Sequence, residues 1–243
     1  MACTKLFENG INSREKFFMN IIEGNSYHRF AKFLHSQTFL LRKYIYRVVA
    51  LKSARNVIDA GCGYGEITQE MSLLSRGTVI GIDKDEKKIS SAVSLPENGR
   101  YLVADLEQLP FQNAQFDFAF FHFSLMWCKV SNVLDEIYRV LKKNGWVAAI
   151  EPDYDGRVEY PDTGAKKVIV EKLMAAGADP FIGRKMYHIF SEKKFIPVEY
   201  GVMSWKYNPN VRKEEMRDEQ EMFSVTPPDI VYMPIFWIIA RKA

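Results

Sequence analysis

The sequence predicts an α/β fold, a doubly wound and mostly parallel sheet preceded by an N-terminal helical cap. Three observations predict it. The stretch NVIDAGCGYGEITQEM, residues 56–71, reads as a buried strand, a glycine turn and the start of a helix. Two more short apolar strands follow, and the three strands end in Asp59, Asp83 and Asp105. Beyond them, helical patterns alternate with apolar strand runs to the C-terminus, the pattern of a parallel sheet with crossover helices.

Taken in order, Asn12 and Glu15 are placed to cap a first helix that runs to about Ile22. From Ser26 to Leu51 apolar residues recur at helical spacing, with Gln37 and Thr38 marking a bend. Between Gly24 and Ile58 stand Arg29, Lys32, Arg42, Lys43, Arg47, Lys52 and Arg55, with no Asp or Glu. This reads as a solvated helix face, the alternatives being a site for an anionic substrate or an RNA surface. Tyr27 and His28 are pocket candidates on this segment.

In the turn, Gly61, Gly63 and Gly65 alternate and remove three Cβ atoms where the chain reverses and a ligand approaches. The following helix presents free N–H groups. A dinucleotide fingerprint, G-x-G-x-x-G, places its third glycine at Glu66 or Thr68 here and fails in both registers. Asp59 repels a phosphate and suits a cation or hydroxyl groups. Asp83 ends the strand T-V-I-G-I-D, close to the spacing of about 20 residues at which a second-strand carboxylate takes ribose hydroxyls. Asp105 ends the third strand. Ligands of open α/β sheets bind at the carboxyl ends of the strands, where all three acids fall.

Glu66–Ser75 and Lys84–Val93 read as crossover helices, and Phe116–Phe123 as a fourth strand, apolar on both faces. Val133 opens a helix that Asn144 and Gly145 stop, ahead of a fifth strand. That strand ends in Glu151, Pro152, Asp153 and Tyr154, where Glu151 and Tyr154 are candidate substrate contacts and a polar turn is the alternative. Gly164–Ala176 and Arg184–Lys193 read as helices, with Arg184 placed for a substrate carboxylate or phosphate. Phe195–Tyr207 reads as a sixth strand, Val211–Phe223 as a charged solvent-facing helix broken at Pro227 and Pro228, and Pro234–Lys242 as the last strand.

D-A-G-C-G-Y-G (59–65), L-E-Q-L-P-F (106–111) and R-V-L-K-x-x-G (139–145) together resemble the class I S-adenosylmethionine (SAM)-dependent methyltransferases. The likeness is to their small-molecule, type 11 or quinone-biosynthesis-like group. The resemblance implies a Rossmann-like seven-stranded sheet whose last strand inserts antiparallel beside the fifth. It implies one domain over 1–243, with a cap over 1–52 and a SAM-binding core over 53–243. SAM is the implied cofactor. Asp59, Gly61, Cys62, Gly63 and Gly65 would line its methionine part. Asp83 would take the ribose hydroxyls, Asp105 and Leu106 would meet the adenine, Phe121, His122 and Phe123 would lie beneath the sulfonium, and Lys84 is a further expected cofactor contact. His122, Tyr154 and His28, with His188, are candidate bases. Tyr27, Trp127, Glu151, Tyr154 and Arg184 are candidate substrate contacts.

The end of the fourth strand bears on the acceptor. No Asn or Asp followed by Pro-Pro and an aromatic stands there, as in amino-directed nucleic-acid enzymes. Cys128 lies between Trp127 and Lys129, outside the Pro-Cys setting of a cytosine nucleophile. No acid follows before Asp135, so no magnesium cluster and no metal is expected. The reading is methyl transfer to a small-molecule acceptor. An RNA methyltransferase and a SAM-binding regulatory protein without turnover are the alternatives.

Composition sets the frame. The 243 residues carry a net charge of +3, with 47% hydrophobic and 26% charged residues, an ordinary globular balance. Cys3, Cys62 and Cys128 are too scattered for a disulfide frame or a zinc site, and cytoplasm is the expected compartment. No signal peptide is read at the N-terminus, and no run reaches the length of about 20 apolar residues that spans a bilayer. A membrane partner is not expected, a nucleic-acid partner is disfavoured, and homodimerisation stays open.

Overall fold

The computed structural model describes residues 32–93, 99–204, 220–226 and 228–243. Tyr27, His28 and the helix expected over 12–22 lie outside them, as does most of the helix expected over 211–223. Seven strands form one sheet: β1 (Asn56–Ala60), β2 (Thr78–Asp83), β3 (Arg100–Val103), β4 (Phe116–His122), β5 (Leu141–Pro152), β7 (Phe195–Ser204) and β9 (Pro234–Lys242). Their order is β3-β2-β1-β4-β5-β9-β7. All pairings from β3 to β5 are parallel, and β9 lies antiparallel between β5 and β7. The expected topology, with the last strand reversed beside the fifth, is the one observed.

Helices cover both faces. On one, α1 (Phe39–Val48) and α2 (Glu66–Leu74) bury Ile45, Tyr46, Val49, Ile67 and Met71 against Val57, Val79, Phe118 and Phe120. On the other, α4 (Val130–Val140), α5 (Ala165–Ala175) and α6 (Ile182–Glu192) bury Val133, Ile137, Ile169, Leu173 and Phe190 against Ile58, Ala119 and Phe121. α3 (Glu86–Val93) connects β2 to β3. The strand period of two decides which face each residue serves. His122 shares the face of Phe118 and Phe120, toward α1, whereas Phe121 points into the opposite layer.

Three details depart from the sequence reading. The helix α4 stops at Val140 and the chain enters β5 at once, since Leu141 already pairs with Phe116. Asn144 sits at φ +61 after that entry rather than at the helix end. A second sheet, β6 (Val158–Tyr160) with β8 (Ile230–Tyr232), stands where the sequence suggests no element. Its strands have three residues each, too short for a periodic signal.

The bend at Thr38 is present, between helical residues 32–37 and α1. The basic residues around it do not form one solvated face. The side chain of Arg42 is 0% exposed and pairs with Glu70 of α2 through Nε (3.0 Å) and NH2 (2.7 Å). Its NH1 donates to the His35 carbonyl (2.5 Å) and to Thr38 Oγ1 (2.6 Å). Burial alone would raise the Glu70 carboxyl, but hydrogen bonds from His35 and Arg42 outweigh it and bring it down to about 2.

Removing one partner of a buried ion pair leaves a charge uncompensated, which costs more than replacing both. Glu70→Ala is expected to lower stability by about 3 kcal/mol in urea unfolding, and the double variant Arg42→Met, Glu70→Leu by clearly less. A double variant as unstable as the single would show that the pair does not carry this contact.

Candidate active site

The glycine turn is strapped to the neighbouring strand. The N–H groups of Gly61 (2.8 Å) and Cys62 (3.0 Å) donate to the Ile82 carbonyl, and the Gly63 N–H donates to Asp83 Oδ2 at 2.9 Å. Gly61, Gly63 and Gly65 all have positive φ, at +78, +53 and +88. At Gly61 a Cβ would fall 2.5 Å from Ser124 Cβ, so side chain and conformation both exclude other residues. At Gly63 a Cβ would meet nothing within 4 Å. That backbone faces open space, the room a ligand needs to come close.

The open space is a cleft of about 270 Å³ at the carboxyl edge of the sheet. Of the residues singled out from the sequence, it gathers Asp59, Gly61, Cys62, Gly63, Asp83, Lys84, Asp105, Leu106, His122, Phe123, Trp127 and Tyr154 along its wall. Gly65 is the N-cap of α2, just behind the turn, and does not line it.

Three expected contacts lie elsewhere. Phe121 is buried in the layer of α4 and α5, because β4 alternates and His122 takes the cleft side. Glu151 is 0% exposed, and its Oε1 accepts the N–H groups of Ser124 (2.8 Å) and Leu125 (2.7 Å). It therefore shapes the 124–126 backbone instead of meeting a substrate. Burial raises its carboxyl to about 8, so it is a neutral acid at neutral pH, which lets it sit there with Oε2 unpartnered among the described residues. Arg184 is clamped by Asp153 and by Asp155 (3.0 Å), away from the cleft, so its charge is already compensated. His188 stands 78% exposed on α6 beside Glu192, outside the cleft.

Two groups at the cleft change character through burial. It pushes the Asp59 carboxyl up to about 7, against the lowering effect of the Thr68 hydroxyl, which donates to Oδ2 at 2.6 Å. It holds the His122 imidazole well below its ordinary range, with the Arg42 guanidinium acting in the same direction. His122 Nε2 lies 2.8 Å from Thr38 Oγ1. A ring so disposed is neutral and a weak base, which counts against the proton-accepting role expected of it. Burial also raises the thiols of Cys62 and of Cys128, the latter to about 12, so neither is a nucleophile.

The sequence reading missed the far wall. Leu34 and His35 come from the segment before α1, Leu173 from α5, and Met222 and Phe223 from the helical residues 220–223. Phe223 is buried, and its carbonyl accepts a hydrogen bond from Lys172 Nζ at 2.6 Å, so the end of the expected solvent-facing helix turns inward. His35 had a readable signal. With Thr38 and Arg42 it follows a helical spacing of three and four. Among the described residues no group of three or more His, Cys, Asp or Glu is arranged to hold a metal ion, and no helix is long and apolar enough to cross a membrane.

Asp59 has its carboxyl raised in the folded state, so it contributes stability below about 4 that is lost as pH rises through about 7. Relative to Asp59→Asn, the wild type is expected to lose about 1 kcal/mol per pH unit across that window, read from urea midpoints. Parallel curves for the two proteins would show that Asp59 is ionised throughout.

Comparison with known proteins agrees with this geometry. Residues 58–149 match the family model described as "Methyltransferase domain". The malonyl-[acyl-carrier protein] O-methyltransferase of Buchnera aphidicola subsp. Baizongia pistaciae is 34% identical over 93 residues, 38% of this chain and 37% of that protein. The enzyme of the same name from Erwinia billingiae is 32% identical over 97 residues, 40% and 38% of the two chains. The chain thus spans well under half the length of these curated relatives. Among solved structures, SAM-dependent methyltransferases of Methanosarcina mazei align with a TM-score of 0.58 at 19% identity, covering 79% of this chain and 93% of that one. The geranyl diphosphate C-methyltransferase of Streptomyces coelicolor A3(2), solved with Mg²⁺, geranyl diphosphate and S-adenosyl-L-homocysteine, aligns at 0.56 and 13% identity, covering 91% and 87%. These two likenesses show the fold. Residues 58–149 of this chain thus resemble a methyltransferase domain, on a fold shared with SAM-dependent methyltransferases.

Proposed function

We propose that the protein transfers a methyl group from SAM to a small, largely apolar acceptor bound in the same cleft. The observation that carries this reading is the arrangement at one sheet edge. A left-handed glycine turn open at Gly63 stands beside Asp59, Asp83 and Asp105, and all of them face one cavity. The residues fit the cofactor. Asp59 and the turn would hold the charged methionine end, Asp83 the ribose hydroxyls, and Asp105 with Leu106 the adenine. SAM supplies an activated methyl group when bound. The chain's part is to align the acceptor with it, and alignment alone is worth several orders of magnitude in rate.

The acceptor side favours a small molecule. Leu34, Phe123, Met126, Trp127, Tyr154 and Phe223 make an apolar and aromatic wall. The burial of Arg42 removes charge from the surface that the sequence offered to RNA. The curated relatives are named as O-methyltransferases of malonyl-[acyl-carrier protein], which is in keeping with an oxygen as the acceptor atom. A cytoplasmic location is in keeping with the free thiols at Cys62 and Cys128.

Titration calorimetry with SAM and with S-adenosylhomocysteine tests the reading. Both are expected to bind, and Asp83→Ala to weaken binding by at least about tenfold, or 1.4 kcal/mol. Absence of binding by the wild type, or NAD binding in its place, would remove the assignment.

A further inference from the structure

The cleft holds a histidine that neither the sequence nor the cofactor reading has used. His35 lines it with a ring that is 28% exposed, and its Nε2 lies 3.0 Å from Glu70 Oε2. Glu70 cannot turn away. Arg42 grips both of its oxygens and is itself anchored on the His35 carbonyl and Thr38 Oγ1. The imidazole and its carboxylate are therefore fixed from both sides, one through its backbone and one through the guanidinium. The ring of His122 stands edge-on to it at a centroid distance of 6.4 Å, at the end of β4 next to the glycine turn. His35 thus stands over the point where the turn meets the apolar wall.

The donor pattern gives the ring a direction. An ionised carboxylate only accepts hydrogen bonds. Glu70, brought down to about 2, is ionised throughout the neutral range, so Nε2 carries the hydrogen and Nδ1 of the neutral ring keeps its lone pair. A carboxylate behind an imidazole fixes the tautomer and favours the imidazolium that proton uptake creates. His122 has no carboxylate within hydrogen-bond reach among the described residues, and burial, followed by the Arg42 charge, holds its imidazole well below the ordinary range. The two histidines differ in their partners: His122 Nε2 lies against the Thr38 hydroxyl and His35 Nε2 against the Glu70 carboxylate.

We infer that His35, backed by Glu70, is the general base of this site, and that its acceptor is an apolar molecule with a weakly acidic hydroxyl, such as a phenol or an enol. This rests on the methyl-transfer reading above. In the step, the acceptor O–H gives its proton to Nδ1. The oxygen lone pair forms the new bond to the methyl carbon as the carbon–sulfur bond breaks, and that electron pair stays on sulfur. The sulfonium charge is lost as the imidazolium charge appears beside Glu70. His35 then returns its proton to solvent. An acceptor without an acidic proton would leave this base idle.

The test uses para-nitrophenol, whose phenolate is coloured, added to the complex with S-adenosylhomocysteine at a pH below the phenol's own pKa. The wild type is expected to ionise the bound probe. His35→Gln, whose amide can still donate to Glu70, is expected to retain S-adenosylhomocysteine by calorimetry and to lose the phenolate signal by about tenfold or more. In His35→Ala, added imidazole is expected to restore the signal. A wild type that gives no phenolate overturns the proposal, as do a His35→Gln signal equal to wild type and a His35→Ala variant that imidazole does not rescue. Loss of S-adenosylhomocysteine from the variants also overturns it, making His35 a cofactor contact. Failure of the wild type to bind S-adenosylhomocysteine instead removes the donor reading on which the proposal rests.

Discussion

The site depends on one strap, the pair of hydrogen bonds from Gly61 and Cys62 to the carbonyl of Ile82, extended by the Gly63 N–H on Asp83. A left-handed turn of alternating glycines has little stiffness of its own, since glycine loses the most backbone entropy on ordering. The strap supplies that stiffness by tying the turn to the end of the next strand. It also couples two binding elements. The carboxylate that caps β2 is the one that holds the turn, so the turn and the expected ribose contact cannot move independently. Thr68 adds the third tie, from the first turns of α2 back to Asp59. Strand end, turn and helix start are therefore one unit, with its polar groups used up in holding shape except where they face the cleft.

A second unit joins the N-terminal helices to that core. Arg42, fully buried, links α1 to α2 through Glu70 and reaches Thr38 and His35 on the way. A buried guanidinium is costly unless each of its donors finds a partner, and here the partners come from three places in the sequence. Such a network specifies an arrangement more than it adds stability. An apolar contact between α1 and α2 would tolerate sliding. The bidentate Arg42–Glu70 pair fixes their register. The register of α1 in turn sets where His35 stands relative to β4, so the position of the cleft's distal wall follows from an ion pair beneath it.

The core of the fold was legible because its signals are local or periodic. The turn at Gly61–Gly65, the acids at Asp59, Asp83 and Asp105, and the continuous apolar run of β4 are each readable without knowing what they touch. What was not legible is long-range. Glu151 looks like a substrate contact from its place at a strand end, yet it reaches back to the Ser124 and Leu125 backbone, as sequence spacing alone does not tell. Arg184 looks like an anion site at a helix start and is already taken by Asp153 and Asp155. Arg42 looks like one basic residue of a solvated stripe and is the most buried of them among the described residues. In each case a polar side chain found its partner across the fold. The β6–β8 pair was missed for a different reason: its strands are too short to show alternation.

The same division explains why the domain match says much about the donor and little about the acceptor. On the methyl-transfer reading, the expected cofactor residues run from Asp59 to Phe123, inside the matched stretch 58–149, which also carries Met126 and Trp127 of the apolar wall. Leu34, His35, Tyr154, Leu173 and Phe223, which close the cleft on the other side, all lie outside it. A parallel sheet can carry this separation because its carboxyl edge is fixed by strand order, whereas the segments over that edge pack on it from the two ends of the chain. Sheet and turn can then stay constant while the covering segments change what fits. With Phe123, Met126 and Trp127 adding to the wall from within the matched stretch, the chemistry of the acceptor is thus written largely in the N-terminal segment and in the residues after β5. There a base held by a buried ion pair meets an apolar wall, and that combination selects an acceptor that is greasy in body and acidic at one atom.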